Sequence, residues 1–199
     1  MCSGHENITT NNYAHCFGVH NTVGAEESVA IGSYLSTYQR RQIVLGQYNA
    51  SFSGGSRSSV VVGNGADSEN KANCLTLNGL TGNMWIKGTL TQNSDRRLKE
   101  HIAYLAEDAC EFVRKLKPAL FVKDGERHLG FYAQNVDEAD EWGTSTVAEQ
   151  HTDESLDFDP LTLEYTALIA PIVAYAQSLE KRIEQLEKRL SELEERGMQ

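Results

Sequence analysis

The chain has 199 residues, a formal net charge of -10, 40% hydrophobic residues and only 8% aromatic ones. That length allows one or two domains, and the acid excess makes nucleic acid an unexpected partner, because a phosphate backbone demands positive surface. No apolar run approaches the roughly 18 residues of a membrane span, and no signal-peptide pattern opens the chain, so no membrane partner is expected.

The start, Cys2-Ser3-Gly4, falls in mid-pattern and reads as part of something longer. Cys2, Cys16, Cys74 and Cys110 form no CxxC pair. Neither a zinc knuckle nor a redox motif is supported, and no metal or cofactor is expected. Cysteines spaced singly are read as small buried hydrophobes.

The first half is organised by a period of fourteen. Glycines fall at Gly4, Gly18, Gly32 and Gly46, and Gly63 follows after seventeen. Small or apolar residues precede each one, as in Cys2-Ser3, Cys16-Phe17, Ala30-Ile31, Val44-Leu45 and Val61-Val62. Three residues after the glycine come Asn7, Asn21 and Asn49; Leu35 and Ala66 hold the other two places. This predicts a short strand ending at a glycine, which tolerates positive φ, and an asparagine supporting the turn. One such unit cannot bury its apolar face, but a stack can. The expected fold is a β-solenoid or β-prism, with a thin apolar stripe from each of three chains meeting at one axis. The pattern resembles the head repeats of trimeric autotransporter adhesins, most closely at Ser28-Val29-Ala30-Ile31-Gly32, and the repeat stems of phage tail fibres. Further on, Asn78 to Asn83 reads as a turn, and Met84 to Leu90 as the last strand.

The second half is mostly helical in pattern. Leu98, Ile102, Leu105, Ala109, Phe112, Val113 and Leu116 recur at three and four, predicting a helix from Asp95 to about Leu116 with Ser94 or Asp95 as N-cap. Pro118 stops it. Ala119 to Val122 reads as a strand, Asp124-Gly125 as a hairpin turn, and Arg127 to Ala133 as the return strand. Gln134-Asn135-Val136 leads into a short acidic helix. Residues 145–148 and 155–158 are expected to pair as a second hairpin. From Leu161 the chain reads as one helix, with a kink or loosened turn at Pro171. Ile169, Ile172, Ala176, Leu179, Ile183, Leu186, Leu190 and Leu193 fill heptad a and d positions. Arg182 and Arg189 at g match Glu187 and Glu194 at e of a parallel neighbour. A trimeric coiled coil over about 161–196 is therefore expected.

Asn93-Ser94-Asp95-Arg96-Arg97-Leu98-Lys99 lies at the seam. Ser94 and Lys99 are candidates for a serine–lysine dyad. The lysine must be neutral to accept the serine proton, and a free lysine is neutral roughly less than one time in a thousand at pH 7. Burial, or charge from Arg96 and Arg97, would lower its pKa. In one α-helix an i, i+5 pair lies about 140° apart. Ser94 must then precede the helix in extended backbone, or the lysine must come from a neighbouring chain. The other reading of these residues is an N-cap followed by a solvated helix.

Ser94-Asp95-Arg96-Arg97-Leu98-Lys99-Glu100-His101-Ile102 resembles the opening of the self-cleaving C-terminal intramolecular chaperone of phage tailspikes, endosialidases and tail fibres. So do Arg127-His128-Leu129-Gly130-Phe131-Tyr132-Ala133-Gln134-Asn135-Val136 and Tyr165-Thr166-Ala167-Leu168-Ile169-Ala170-Pro171-Ile172, in the same order. Tyr132 stands where relatives often carry a smaller apolar residue. The resemblance implies an α+β chaperone at 94–199 that trimerises, templates a β stalk at 1–93, and cuts the Asn93–Ser94 bond. It makes Ser94 the nucleophile and Lys99 the general base, with Asp95 orienting either. It gives His128 either a part in the reaction or a structural place. Gln134 holds its loop or donates to the oxyanion, and Arg97 supports the site. Implied partners are two further copies of the chain and, through the mature fibre, a host receptor or glycan. The mature part would lie in the virion tail and the released chaperone in the host cytoplasm. A non-catalytic structural trimer and an adhesin-like stalk are the competing expectations.

Overall fold

The computed structural model describes residues 1–51, 58–123, 125–149 and 157–197. The chain divides into two compact units, Met1–Asp95 and Arg96–Gln199.

The first unit is a β-solenoid of about four turns. Each turn sets a longer strand beside a two-residue one: β1 (Cys2–His5) and β2 (Ile8–Thr9), β3 (His15–Val19) and β4 (Thr22–Val23), β5 (Val29–Ser33) and β6 (Ser36–Thr37), then β7 (Ile43–Gln47). The longer strands stack in parallel, and β8 (Ser58–Asn64) continues that sheet. The short strands form a second parallel sheet. Register follows the repeat, so Cys2, Cys16, Ala30, Val44 and Val61 form one column and the five repeat glycines another. The first column points inward; Cys16, Ala30, Val44 and Val61 join Ala14, Val23 and Leu35 in a thin buried core.

The glycines sit inside the strands, one residue before the end, and not at the strand ends as expected. Close stacking is the reason. A Cβ on Gly32, whose φ is +145°, would lie 1.9 Å from the Gly46 carbonyl oxygen. The turns fall at residues of ordinary type in the left-handed region: Glu6, Tyr13, His20, Glu27, Tyr34, Arg41 and Tyr48, one every seventh position. Each such corner costs roughly 1 kcal/mol or more. Inter-coil hydrogen bonds offset that cost, among them the amides of His20 to His5 O, Tyr34 to Val19 O and Tyr48 to Ser33 O. The rings of His20, Tyr34 and Tyr48 stack with centroids 4.6 Å apart.

The asparagines do more than support their own turns. Asn21, fully buried, accepts from the Leu35 amide at 3.0 Å and donates to the carbonyls of Phe17 and Gly32. Asn7 and Asn49 make related bonds between coils. The solenoid closes with antiparallel strands β9 (Asn73–Asn78) and β10 (Met84–Ile86). The last strand is shorter than the expected 84–90. Asn78 holds the turn between them by accepting the amides of Leu80 and Thr81.

In the second unit a single 3-10 turn, Arg96–Leu98, is followed by irregular backbone and then α1 (Glu107–Lys115). The expected helix from Asp95 is therefore absent, and neither Ser94 nor Asp95 caps α1. Leu98, Ile102 and Leu105 are 72%, 45% and 37% exposed. Too little packing among the described residues covers Leu98 and Ile102 to stabilise their helical spacing. The hairpin of β11 (Ala119–Lys123) and β12 (Glu126–Gly130) forms as expected, with Asp124 of its turn outside the described residues. The return strand stops at Gly130, and α2 (Ala133–Ala139) begins where strand was predicted to end.

The second hairpin pairs differently from expectation. Strand β13 (Val147–Glu149) meets β14 (Leu161–Leu163), not 155–158. Of that predicted partner, Ser155 and Leu156 lie outside the described residues, while Asp157 and Phe158 lie outside any strand. A 3-10 turn, Tyr165–Leu168, then leads into α3 (Ile169–Gly197). The long helix thus starts eight residues later than predicted. Pro171 falls in the first turn of α3, just after that 3-10 turn, where a missing N–H is tolerated, and the helix runs on unbroken to Gly197. The core of this unit is small: Phe112, Leu116, Val136, Ala139 and Leu168.

Replacing Asn21 by Ala leaves the Leu35 amide and two carbonyls without that partner. Thermal unfolding should report a loss of about 2 kcal/mol or more; an unchanged transition would show that the amide ladder is not what holds the coils.

Candidate functional site

The peptide around the expected scissile bond, residues 91–95, has no regular structure, and Asn93, Ser94 and Asp95 are exposed. The turn Arg96–Leu98 follows, closed by a 3.1 Å bond from the Lys99 amide to Arg96 O. No α-helix passes through Ser94 and Lys99, so the angular separation expected for an i, i+5 pair on one helix does not apply. Ser94 lies at the end of the first unit and Lys99 in the second. Arg97 and Lys99 are exposed as well. His101 holds φ of +51° and turns the chain away from helical continuation.

His128 stands on β12 opposite Phe121, with ring centroids 5.8 Å apart, and is exposed. Gln134 lies in the first turn of α2, also exposed. Its neighbour Asn135, not singled out from the sequence, is the residue that holds the loop. Asn135 is buried, accepts from the Lys117 amide at 2.7 Å and donates to Lys115 O at 3.3 Å. It thereby ties the end of α1 to the start of α2. Tyr165 adds a second tie: its hydroxyl accepts from the Phe131 amide and donates to Phe131 O, at 3.2 and 3.3 Å. That contact needs Gly130, since a Cβ there would meet the Tyr165 oxygen at 2.5 Å. The second and third matching motifs therefore meet in one scaffold.

A further tie fixes the start of α1. Asp108 accepts the Ala106 amide at 2.9 Å and the Trp142 indole N–H at 2.7 Å. These donors, the backbone one first, hold its carboxyl below the usual range. Trp142 also packs against Phe112, and Lys115 pairs with Glu111 and Glu141. Among the described residues no group of three or more His, Cys, Asp or Glu is placed to hold a metal ion. No described helix is long and apolar enough to cross a membrane.

The second unit is thus a small α+β scaffold with an exposed, irregular lead segment and a long amphipathic helix. Residues 94–144 match the family model described as chaperone of endosialidase, a peptidase family, and the match begins at Ser94. The stretch from Ser94 to Thr144 is accordingly similar to an intramolecular chaperone domain of that kind. No curated protein matches the chain.

Asn135→Ala should destabilise the second unit by about 1–3 kcal/mol, measurable by denaturant unfolding, because two buried backbone groups lose their partner. The depressed Asp108 carboxyl contributes stability above its unfolded value of about 3.9, and that contribution is lost as pH falls through the folded value. With Trp85→Phe leaving Trp142 as the only tryptophan, its emission should shift below about pH 4. The shift should vanish in Asp108→Ala; its persistence there would assign the transition to another group.

Proposed function

We propose that residues 94–199 assemble as a homotrimer, template the folding of the solenoid, and then release themselves by cutting the Asn93–Ser94 bond. One observation carries the assembly: the apolar stripe of α3 is uncovered in the single chain. Leu179, Ile183, Leu186, Leu190 and Leu193 are 44–63% exposed at heptad spacing. Such a seam is buried when helices wind together, and mixed Ile and Leu permits three. Arg182 with Glu187 and Arg189 with Glu194 would then pair between chains. The solenoid has a matching need. Phe17, Ile31 and Leu45 stand in one register column on the face away from its core, and Phe17 and Ile31 are 38% and 47% exposed.

In the proposed reaction Ser94 Oγ attacks the Asn93 carbonyl carbon, and Lys99 Nζ takes the hydroxyl proton. The tetrahedral intermediate collapses to an ester between Asn93 and Ser94 as the C–N bond breaks, the leaving Ser94 amine gaining a proton from the lysine. Water then hydrolyses the ester. Asp95 would orient the pair, and Arg97 would add positive charge beside the lysine. His128 and Gln134 are supporting candidates, for proton handling and oxyanion donation. Lys99 is exposed in the single chain, and burial by a neighbouring subunit on assembly would favour its neutral form. Cutting would then follow assembly, and loss of the template would leave the stalk kinetically trapped. The mature stalk belongs, on this reading, to a phage tail, where it contributes to contact with a host receptor or glycan.

The same exposure of Ser94 and Lys99 favours one alternative, a structural trimer whose pair is inert. Mass spectrometry of the expressed chain separates the two. Wild type should yield fragments 1–93 and 94–199, while Ser94→Ala and Lys99→Ala should each stay whole and still sediment as trimers. Leu186→Asp should sediment as a monomer and cut at least tenfold more slowly. A wild-type chain that trimerises and remains whole leaves the inert reading standing.

A further inference from the structure

Cys2 and Cys16 hold the same place in successive coils, two residues before a repeat glycine. They are Cα partners across β1 and β3, with sulfur atoms 2.7 Å apart. Neighbouring strands lie about 4.8 Å apart, which falls within the roughly 4.4–6.8 Å between α-carbons that a disulfide spans. Bonding would need the sulfurs to close to about 2.05 Å, a movement that side-chain torsions can supply without shifting the strands. The next residues in the column, Ala30, Val44 and Val61, carry no sulfur, so the column offers one thiol pair at one end.

We propose that Cys2 and Cys16 are a dithiol couple, oxidised by a low-molecular-weight disulfide such as glutathione disulfide to a bond that joins their two coils covalently.

The two thiols are not equivalent, and their difference sets the order of events. Cys2 is exposed, whereas Cys16 is fully buried. Contact with Cys16, and then with the Thr9 hydroxyl, holds the Cys2 thiol below its usual value. Burial first, and then contact with Cys2, pushes Cys16 up to about 12. Cys2 is therefore the thiolate that meets the oxidant. Its sulfur attacks one sulfur of glutathione disulfide, and one glutathione leaves as thiolate. In the mixed disulfide the Cys2 sulfur is no longer a thiolate, which removes one of the influences holding the Cys16 proton. Cys16 Sγ then attacks Cys2 Sγ, its proton passes to solvent, and the second glutathione thiolate leaves. In sum two protein thiols lose two hydrogens and glutathione disulfide becomes two glutathiones.

This inference rests on the solenoid register alone and is independent of cutting at Asn93–Ser94. The test uses the full chain with Ser94→Ala, incubated natively with glutathione disulfide, quenched by alkylation and digested after glutamate. Cleavage after Glu6 separates the two cysteines. The expected result is a Cys2 peptide and a Cys16 peptide that stay joined, two hydrogens light, until a reductant is added. The Cys2→Ser variant, altered only at an exposed edge position, should leave Cys16 as a thiol throughout. In urea the same treatment should give scrambled pairing among all four cysteines. The proposal is overturned if native Cys2 stops at the glutathione mixed disulfide, if both cysteines stay alkylatable, or if Cys16 is oxidised equally well in Cys2→Ser.

Discussion

The side-chain amide of Asn21 holds three backbone groups from three places in the coil stack: the Leu35 amide and the carbonyls of Phe17 and Gly32. The rest of the solenoid depends on this kind of bond. A chain that turns every seven residues leaves corner amides and carbonyls without strand partners, and at buried positions water cannot replace them. Asn7, Asn49, Asn73 and Gln42 answer the same need at other levels of the stack. The bonds exist only in one register. Sliding a coil by one residue would orphan these groups and push a Cβ-bearing residue into the glycine column, against a carbonyl oxygen. Register in turn decides which side chains face out, and it is what brings Phe17, Ile31 and Leu45 into line.

Those features were legible in the sequence to the extent that backbone chemistry names its own residues. Glycine is required where Gly32 meets Gly46, and asparagine where Asn21 bridges coils, so the fourteen-residue period could be read directly. The seven-residue corner period could not. Glu6, Tyr13, His20 and Arg41 share a backbone conformation and no side-chain chemistry. The paired cysteines were readable as a repeat position but not as a pair until the strands stacked.

In the second unit the misreading has a different origin. The spacing of Leu98, Ile102 and Leu105 predicts one helix running into α1, yet α1 begins only at Glu107, where Asp108 ties the Ala106 amide and the Trp142 indole. Apolar spacing records surface that favours being covered, and among the described residues Leu98 and Ile102 stay exposed. The same holds for α3, whose heptad spacing was readable from the sequence although its apolar stripe stays exposed in the single chain. Motif likeness pointed to Ser94 and Lys99. It placed Asn135 and Tyr165 inside matching stretches but gave them no role, because a side chain that clamps a distant loop has no local signature.

The corner period has one consequence for how such a solenoid changes over generations. Because left-handed corners recur every seven residues from Glu6 to Tyr48, and the column glycines every fourteen from Gly4 to Gly46, one coil there is a self-contained cassette. Duplicating or deleting fourteen residues in that stretch keeps each amide bridge and each column in step. Solenoid length is therefore counted in whole coils, each adding about 4.8 Å, so the gene carries a ruler whose marks can be added singly without redesigning the fold.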